Sequence, residues 1–329
     1  MHGTFVTADP ATGAVGVLAG PDEDAIAARL ADGSVFWLDL DGLDDQTLRL
    51  LGGPLGFHPL AVEDAEHFGQ RPKIDLYDTF TLVVAYGVMV DGTPVEVHCF
   101  YTEHFLVTVH RGDVPSLDAA IARLAEQAAP LPAPIMLLHR AVDTLVDGFL
   151  PALDAMDDEI DALEDAILRR PTEAQLGELF RLKRRLGAVR RLVSGQRDVF
   201  ASVRSGDEEL PGMTPGAERY FRDVYDHLVR SSQAADSLRD LLISAVDAHL
   251  STTSNRLNVV MKQLTIIATV FLPLSFVTGF FGQNFGWMVD RIAGFWAFVV
   301  GGVAVQVLVV IGLVMMFRRK GWIGRDSDG

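Results

Sequence analysis

The stretch KQLTIIATVFLPLSFVTGFFGQN, Lys262 to Asn284, decides the fold. After Lys262 no charged residue occurs until Asp290, an uncharged run of 27 residues. A helix rises 1.5 Å per residue, so about 20 apolar residues cross the hydrocarbon core of a bilayer. A second uncharged run, Ile292 to Phe317, follows at once. Both exceed the apolar runs of about 10–14 residues usual in buried helices of soluble proteins. Two spans joined by a very short connection predict a membrane hairpin, with Gly282, Gln283 and Asn284 in its turn.

Flanking charge sets the orientation. Arg256 and Lys262 precede the first span, and a basic tail of Arg318, Arg319 and Lys320 follows the second. The turn carries only Asp290 and Arg291. Basic flanks stay cytoplasmic, so both termini are expected inside a cytoplasmic (inner) membrane. The N-terminal MHGTFVTADP has neither a basic nor an apolar signal-peptide region, so the first span is expected to act as the insertion signal. Within that span, Thr265, Thr269, Ser275 and Thr278 can each return a hydroxyl to their own helix backbone. Pro273 removes one backbone donor, which membrane helices tolerate.

Upstream of the spans the chain is acidic. Its net charge is −16 while its mean hydropathy is +0.23, because the apolar excess lies after Leu264. Phosphate binding needs basic surface, so nucleic acid is excluded as a partner. The single cysteine, Cys99, allows no intramolecular disulfide and fits a reducing compartment. There is no Ser/His/Asp set, phosphate-cradling glycine loop or metal-hydrolase motif, so no enzyme is expected, and no organic cofactor.

Residues 1–130 read as an α+β domain. Val35–Leu40, Phe80–Val90, Val95–Tyr101 and Phe105–Val109 are rich in β-branched and aromatic residues. The last three are closely spaced and predict an antiparallel meander. Helices are expected at Asp44–Leu51, Pro59–Ala65 and Ser116–Glu126. His58, Glu63, Asp64 and His67 invite a metal-site reading, but nothing there has catalytic spacing.

Residues 131–262 read as a helical hairpin and a stalk. Ala129 to Pro134 is a linker, and Pro151 marks a kink. Asp154, Asp158, Asp161 and Asp165 share one helix face. Arg170-Pro171 stops that helix, and Thr172 with Gln175 forms a capping box that starts the next. The next helix is basic, so the two are expected to face each other as opposite charges; a cation-collecting acidic face is the alternative. From Ala217 a helix runs without a breaker to Pro273, about 55 residues or roughly 80 Å, long enough to protrude from the membrane. The transmembrane hairpin is assigned to 263–317 with an extracytoplasmic turn, and the basic tail to 318–329.

NVVMKQLTIIATVFLPLSFVTGFFGQNFGW resembles the first membrane helix and signature loop of the CorA family of divalent-cation transporters. YFRDVYDH (Tyr220–His227), DAHLSTTSNRLN (Asp247–Asn258) and FHPLAVEDAEHFGQRPKID (Phe57–Asp75) extend the resemblance over most of the chain. The family signature is Gly-Met-Asn; here it is Gly282-Gln283-Asn284. Relatives such as the ZntB branch, associated with zinc, also vary the middle residue.

The resemblance implies transport of Mg2+, or of Co2+ or Ni2+, through a homopentameric pore in the lipid bilayer. It assigns Asn258, Met261, Leu264, Thr265, Leu272, Ser275, Gly279, Gly282, Gln283 and Asn284 to that pore; the sequence by itself shows only that the helical ones can share a face. It further implies a regulatory cation between Asp64 and Asp247 of neighbouring subunits, with Asp223 joining a second ion. The alternatives are a ZntB-like zinc transporter, proton-coupled or not, and a membrane-tethered cation sensor without transport.

Overall fold

The structure is a computed structural model, and residues 2–8, 14–20, 22–126, 130–283, 285–292 and 294–323 are described. Asn284 and the linker residue Ala129 lie outside them. The chain divides into two compact units, Met1–Asp247 and Ala248–Gly329.

The first unit is built on a seven-stranded mixed sheet of order β2-β1-β3-β7-β6-β5-β4. The strands are β1 (His2–Ala8), β2 (Val15–Ala19), β3 (Phe36–Asp41), β4 (Lys73–Leu76), β5 (Thr81–Val88), β6 (Pro94–Tyr101) and β7 (Phe105–His110). The meander of β5, β6 and β7 is antiparallel as expected. Only the central β3–β7 pair is parallel. Helices α1 (Glu23–Asp32), α2 (Asp45–Gly52), α3 (Pro59–Glu66) and α4 (Pro115–Glu126) are interleaved with the strands. The hairpin β1–β2, strand β4 and helix α1 are additions to what the sequence predicted.

Three further helices close over the sheet. α5 (Pro134–Val146) lies against β3, β5, β6 and β7, and every residue of β5 is buried. The approach is close at Gly87, where a Cβ would stand 3.0–3.1 Å from Leu145. α6 (Phe149–Arg169) and α7 (Glu173–Ser205) form the expected hairpin. Thr172 and Gln175 make the reciprocal capping box that starts α7. Pro151 does not kink α6: it falls in the first turn, where no backbone donor is needed. Between α6 and α7 the ion pair is Arg185–Glu159, so the acid comes from outside the predicted Asp154, Asp158, Asp161, Asp165 face. The helices pack on the strands, so the first compact unit extends to Asp247 rather than ending near residue 130.

Several buried polar groups of this unit are matched in ways that shape the sheet. β4 pairs with β5 only as far as Lys73↔Val84, which leaves the edge of β5 open at Tyr86. Gln196 of α7 closes it: its Oε1 accepts from Tyr86 N at 2.6 Å and its Nε2 donates to Tyr86 O at 3.1 Å. The β3–β7 register sets Thr108 beside Asp39, and the Thr108 hydroxyl donates to the carboxylate at 2.5 Å. His110 reaches Asp39 at 3.2 Å and the Gly112 carbonyl at 2.8 Å. Burial works against charge on the imidazole, but Asp39 outweighs it and holds the His110 pKa above its usual value.

The second unit is helical. α8 (Pro215–Phe281) is one helix of 67 residues that enters it from the first, with Pro273 inside. After the loop come α9 (Gly286–Arg291), α10 (Phe295–Ala297), a π-helical segment (Phe298–Ala304) and α11 (Val305–Arg319). The connection is therefore a short helix, and the second apolar span starts at Phe295 rather than Ile292. Gly294, at φ 133, supplies the break. Both spans are long and apolar enough to cross a membrane, and their apolar windows are not buried within the chain.

Gln196→Leu tests the edge closure. It leaves two backbone groups of Tyr86 unpaired in a buried site, at about 1–3 kcal/mol each. The expected outcome is a clear drop in melting temperature of the purified full-length protein, while Gln196→Glu, which keeps one acceptor, falls between.

Candidate functional site

Two sets of residues carry chemistry. The first lies on α8 in the second unit. Within residues 263–281 its half-buried positions are Ile266, Thr269, Val270, Pro273, Leu274 and Val277. Phe281, near this side, meets the second span where a Cβ on Gly301 would be 3.0 Å away, and Gln306 Nε2 donates to the Thr278 hydroxyl, between this side and the seam, at 3.0 Å. Asn258, Met261, Leu264, Thr265, Leu272, Ser275 and Gly279 are all exposed. At 3.6 residues per turn their mean direction is ~150° from the half-buried face. The sequence-predicted seam is thus a separate face of the helix, without a partner inside the chain among the described residues.

Hydroxyl geometry on this helix is informative. Thr265 donates to Met261 O at 2.8 Å, Thr269 to Thr265 O at 2.7 Å and Thr278 to Leu274 O at 2.8 Å. A hydroxyl that has given its proton to the backbone presents only lone pairs outward. At the helix end, Gly282 N donates to Thr278 O and Gln283 N to Phe280 O. Gln283 is exposed beyond this turn. Arg318 and Arg319 end α11, and Lys320 caps it, so all three cations sit at the helix C-terminus, where they complement its dipole.

The second set lies in the first unit and differs from the sequence expectation. Asp143 and Asp147 lie one turn apart, Asp143 on α5 and Asp147 at its C-cap, and His227 comes from α8. Their ligand atoms lie within 4.8 Å of one another. His227 Nδ1 is 3.0 Å from Asp147, and its Nε2 is 3.6 Å from Asp223. Burial, then the neighbouring Asp147 charge, raises the Asp143 pKa to about 6. A cavity of about 330 Å³ opens beside them, lined among others by Arg123, His139, Arg140 and Tyr220.

Of the predicted regulatory acids, Asp223 therefore belongs to a cluster, but with Asp143, Asp147 and His227. Asp64 has different neighbours: Lys73 Nζ bridges it at 2.6 Å and Asp75 at 2.7 Å. Asp247 is exposed and lines a groove between α7 and α8 with Lys183, Arg190 and Arg239. The chain does not itself join Asp64 to Asp247. His58 and His67 have local duties: His58 accepts from Leu60 N at 3.2 Å as the N-cap of α3, and His67 ends that helix. Cys99 is buried, and burial pushes its thiol pKa up.

The architecture and the seam together describe a membrane transporter, and comparison with known proteins agrees. The family model for CorA-like Mg2+ transporter proteins matches residues 32–319. The chain belongs to that family. It is a divalent-cation transporter of the CorA type, not an enzyme. It is 31% identical over 295 residues to the cobalt/magnesium transport protein CorA of Thermotoga maritima, covering 87% of this chain and 83% of that one. It is 26% identical over 297 residues to the zinc transport protein ZntB of Pectobacterium atrosepticum, covering 87% and 88%. Its fold matches the complete CorA magnesium transporter of Methanocaldococcus jannaschii with a TM-score of 0.82, over 98% of this chain and 99% of that one at 20% identity.

The raised Asp143 pKa has a sign that can be checked. The folded protein binds this proton more tightly than the unfolded chain, whose value is near 3.8, so this group lowers stability as pH rises from there through about 6. In chelator at pH 7.5, Asp143→Asn is expected to raise the melting temperature, and at pH 4 to leave it nearly unchanged.

Proposed function

We propose that this CorA-type protein carries divalent cations, Mg2+ foremost, across the cytoplasmic membrane through a homopentameric pore lined by α8. The observation that carries the reading is the exposed seam turned away from the second span. A lone hairpin encloses no aqueous path, whereas several copies facing an axis with this seam do. Asn258, Thr265 and Ser275 then form polar rings, and Met261, Leu264 and Leu272 form apolar constrictions that gate by dewetting. Gly279 lets neighbouring helices approach closely.

Neutral oxygens suit this cargo. Mg2+ dehydrates reluctantly, so a hydrated ion is best met by acceptors for its water protons. Thr265, its own proton committed to Met261, is such an acceptor. Gly282, Gln283 and Asn284 supply the mouth, outside the membrane, with both termini inside. An inside-negative potential then drives entry at about 2.3 kcal/mol per charge per 100 mV.

Regulation is assigned to cations bound by the first unit. Uncompensated carboxylates repel, and a bound divalent ion offsets them. Asp143, Asp147, Asp223 and His227 are the better-formed centre for this within one chain. Asp64 and Asp247 act only if a neighbouring subunit brings them together and the ion displaces Lys73. Zinc transport is a second reading, favoured by Gln283 in place of the signature methionine and by the ZntB relatives.

The test is uptake of Mg2+ and Zn2+ into proteoliposomes under an inside-negative potential without a pH gradient. Asn284→Ala removes a ring of acceptors, each worth about 1 kcal/mol, and is expected to lower uptake by about tenfold or more. Gln283→Met is expected to shift the ratio of Mg2+ to Zn2+ entry. Potential-driven flux indifferent to Asn284→Ala would overturn the pore assignment; Zn2+ entry without Mg2+ would install the zinc reading.

A further inference from the structure

His139 is the unassigned group with the most to explain. It stands on α5 one turn before Asp143, and only 8% of its surface is exposed. Its Nε2 is buried and has no hydrogen-bond partner among the described residues. A buried nitrogen left unpaired costs about 1–3 kcal/mol, so its orientation calls for a reason. That nitrogen is directed to the Asp143 carboxylate at 3.9 Å, too long for a hydrogen bond. The ring also lines the cavity that Asp143 and Asp147 share.

The separation is close to what a shared cation needs: donor atoms held about 2.0–2.1 Å from one Zn2+ stand ~3.3 Å apart in a tetrahedron, so Nε2 and the carboxylate at 3.9 Å would close by about half an ångström on binding. The ring is held in place by the edges of Tyr220 and Phe221, with centroids at 5.2 and 5.6 Å.

We propose that His139 completes a mixed imidazole–carboxylate site with Asp143, Asp147 and His227, and that this site takes borderline transition-metal ions such as Zn2+ or Co2+ in preference to Mg2+. The inference rests on reading the acidic trio as a cation site; it does not depend on which ion the pore carries. Two imidazoles and two carboxylates suit Zn2+ and Co2+, whereas Mg2+ wants an octahedron of oxygens and keeps its waters. The surrounding charge points the same way. Arg123 and Arg140 line the same cavity, and Arg123 offsets part of the Asp143 charge. A hard ion held by Coulomb attraction alone loses most from that, and an ion held through nitrogen lone pairs loses least.

The experiment uses the full-length protein in detergent, stripped with chelator. Zn2+ is measured by competition against a chromophoric chelator, and Co2+ by its visible ligand-field bands. The expected result is a high-affinity equivalent of Zn2+ that excess Mg2+ does not displace. His139→Gln should weaken it by about tenfold or more, comparable to the loss of ligand support at known sites, and should weaken the Co2+ bands without changing Mg2+ binding. Asp143→Asn should weaken both ions. Zn2+ affinity sensitive to Asp143→Asn but indifferent to His139→Gln overturns this inference and leaves the acidic site standing. Indifference to both overturns the site as well. Because His139→Gln can perturb the packing of α5, X-ray absorption on wild-type protein loaded with one Zn2+ gives an independent answer: two imidazoles per zinc support the proposal, and one or none overturns it.

Discussion

The constraint on which the structure depends is that no backbone polar group can go unpaired in hydrocarbon. A continuous helix satisfies it by bonding every donor to the turn before. α8 does so over 67 residues, which makes one element common to both units. Pro273 breaks the ladder by one donor, and the hydroxyls of Thr265, Thr269 and Thr278 are all folded back on carbonyls. Polar atoms in the span thus bring no unmet donors with them. What they leave exposed is acceptor character, which is what a hydrated cation can use.

The same accounting governs the sheet-bearing unit, with a different solution. A mixed sheet covered by helices has no solvent to satisfy a strand edge. Gln196 therefore stands in for a missing strand at Tyr86, and Asp39, Thr108 and His110 form a closed set across the central parallel pair. His139 Nε2 is one of a few buried polar atoms left unmatched among the described residues, with Thr7, His98 and Arg185 in the same unit, and the one that faces the acidic cavity. That placement gives its orientation weight.

Legibility in the sequence followed how local the determining physics is. The spans were legible because length and the absence of charge settle them without reference to the rest of the chain. The capping box at Thr172 and the β5–β7 meander were legible because their signals lie within a few residues. β1, β2 and β4 were not: β2 and β4 are short edge strands, and β1 takes its place in the sheet from β3, about 30 residues along the chain. The cation cluster was missed for the same reason, since His227 lies 80 residues from Asp147. Part of it was visible, however. His139, Asp143 and Asp147 recur at i, i+4 and i+8, and such residues stack on one helix face. Asp64 was legible as an acid in a motif, but its salt bridge to Lys73 depends on β4, an element the sequence reading lacked.

The two acid centres differ in what an arriving cation must displace. At Asp64 an ammonium already sits between two carboxylates; burial opposes its charge, but Asp64 and Asp75 raise the Lys73 pKa, so it stays charged. A divalent ion there must expel a resident cation. At Asp143 a neighbour across the cavity is instead an imidazole nitrogen with no hydrogen-bond partner among the described residues to give up. The proposed pore seam would offer a third chemistry, oxygen and amide groups that meet an ion through its water. An ion that keeps its shell would be read by the seam, and an ion that gives up its shell by the proposed imidazole site. On this reading the ion that passes and the ion that regulates need not be the same, because the two sites recognise different surfaces of a cation.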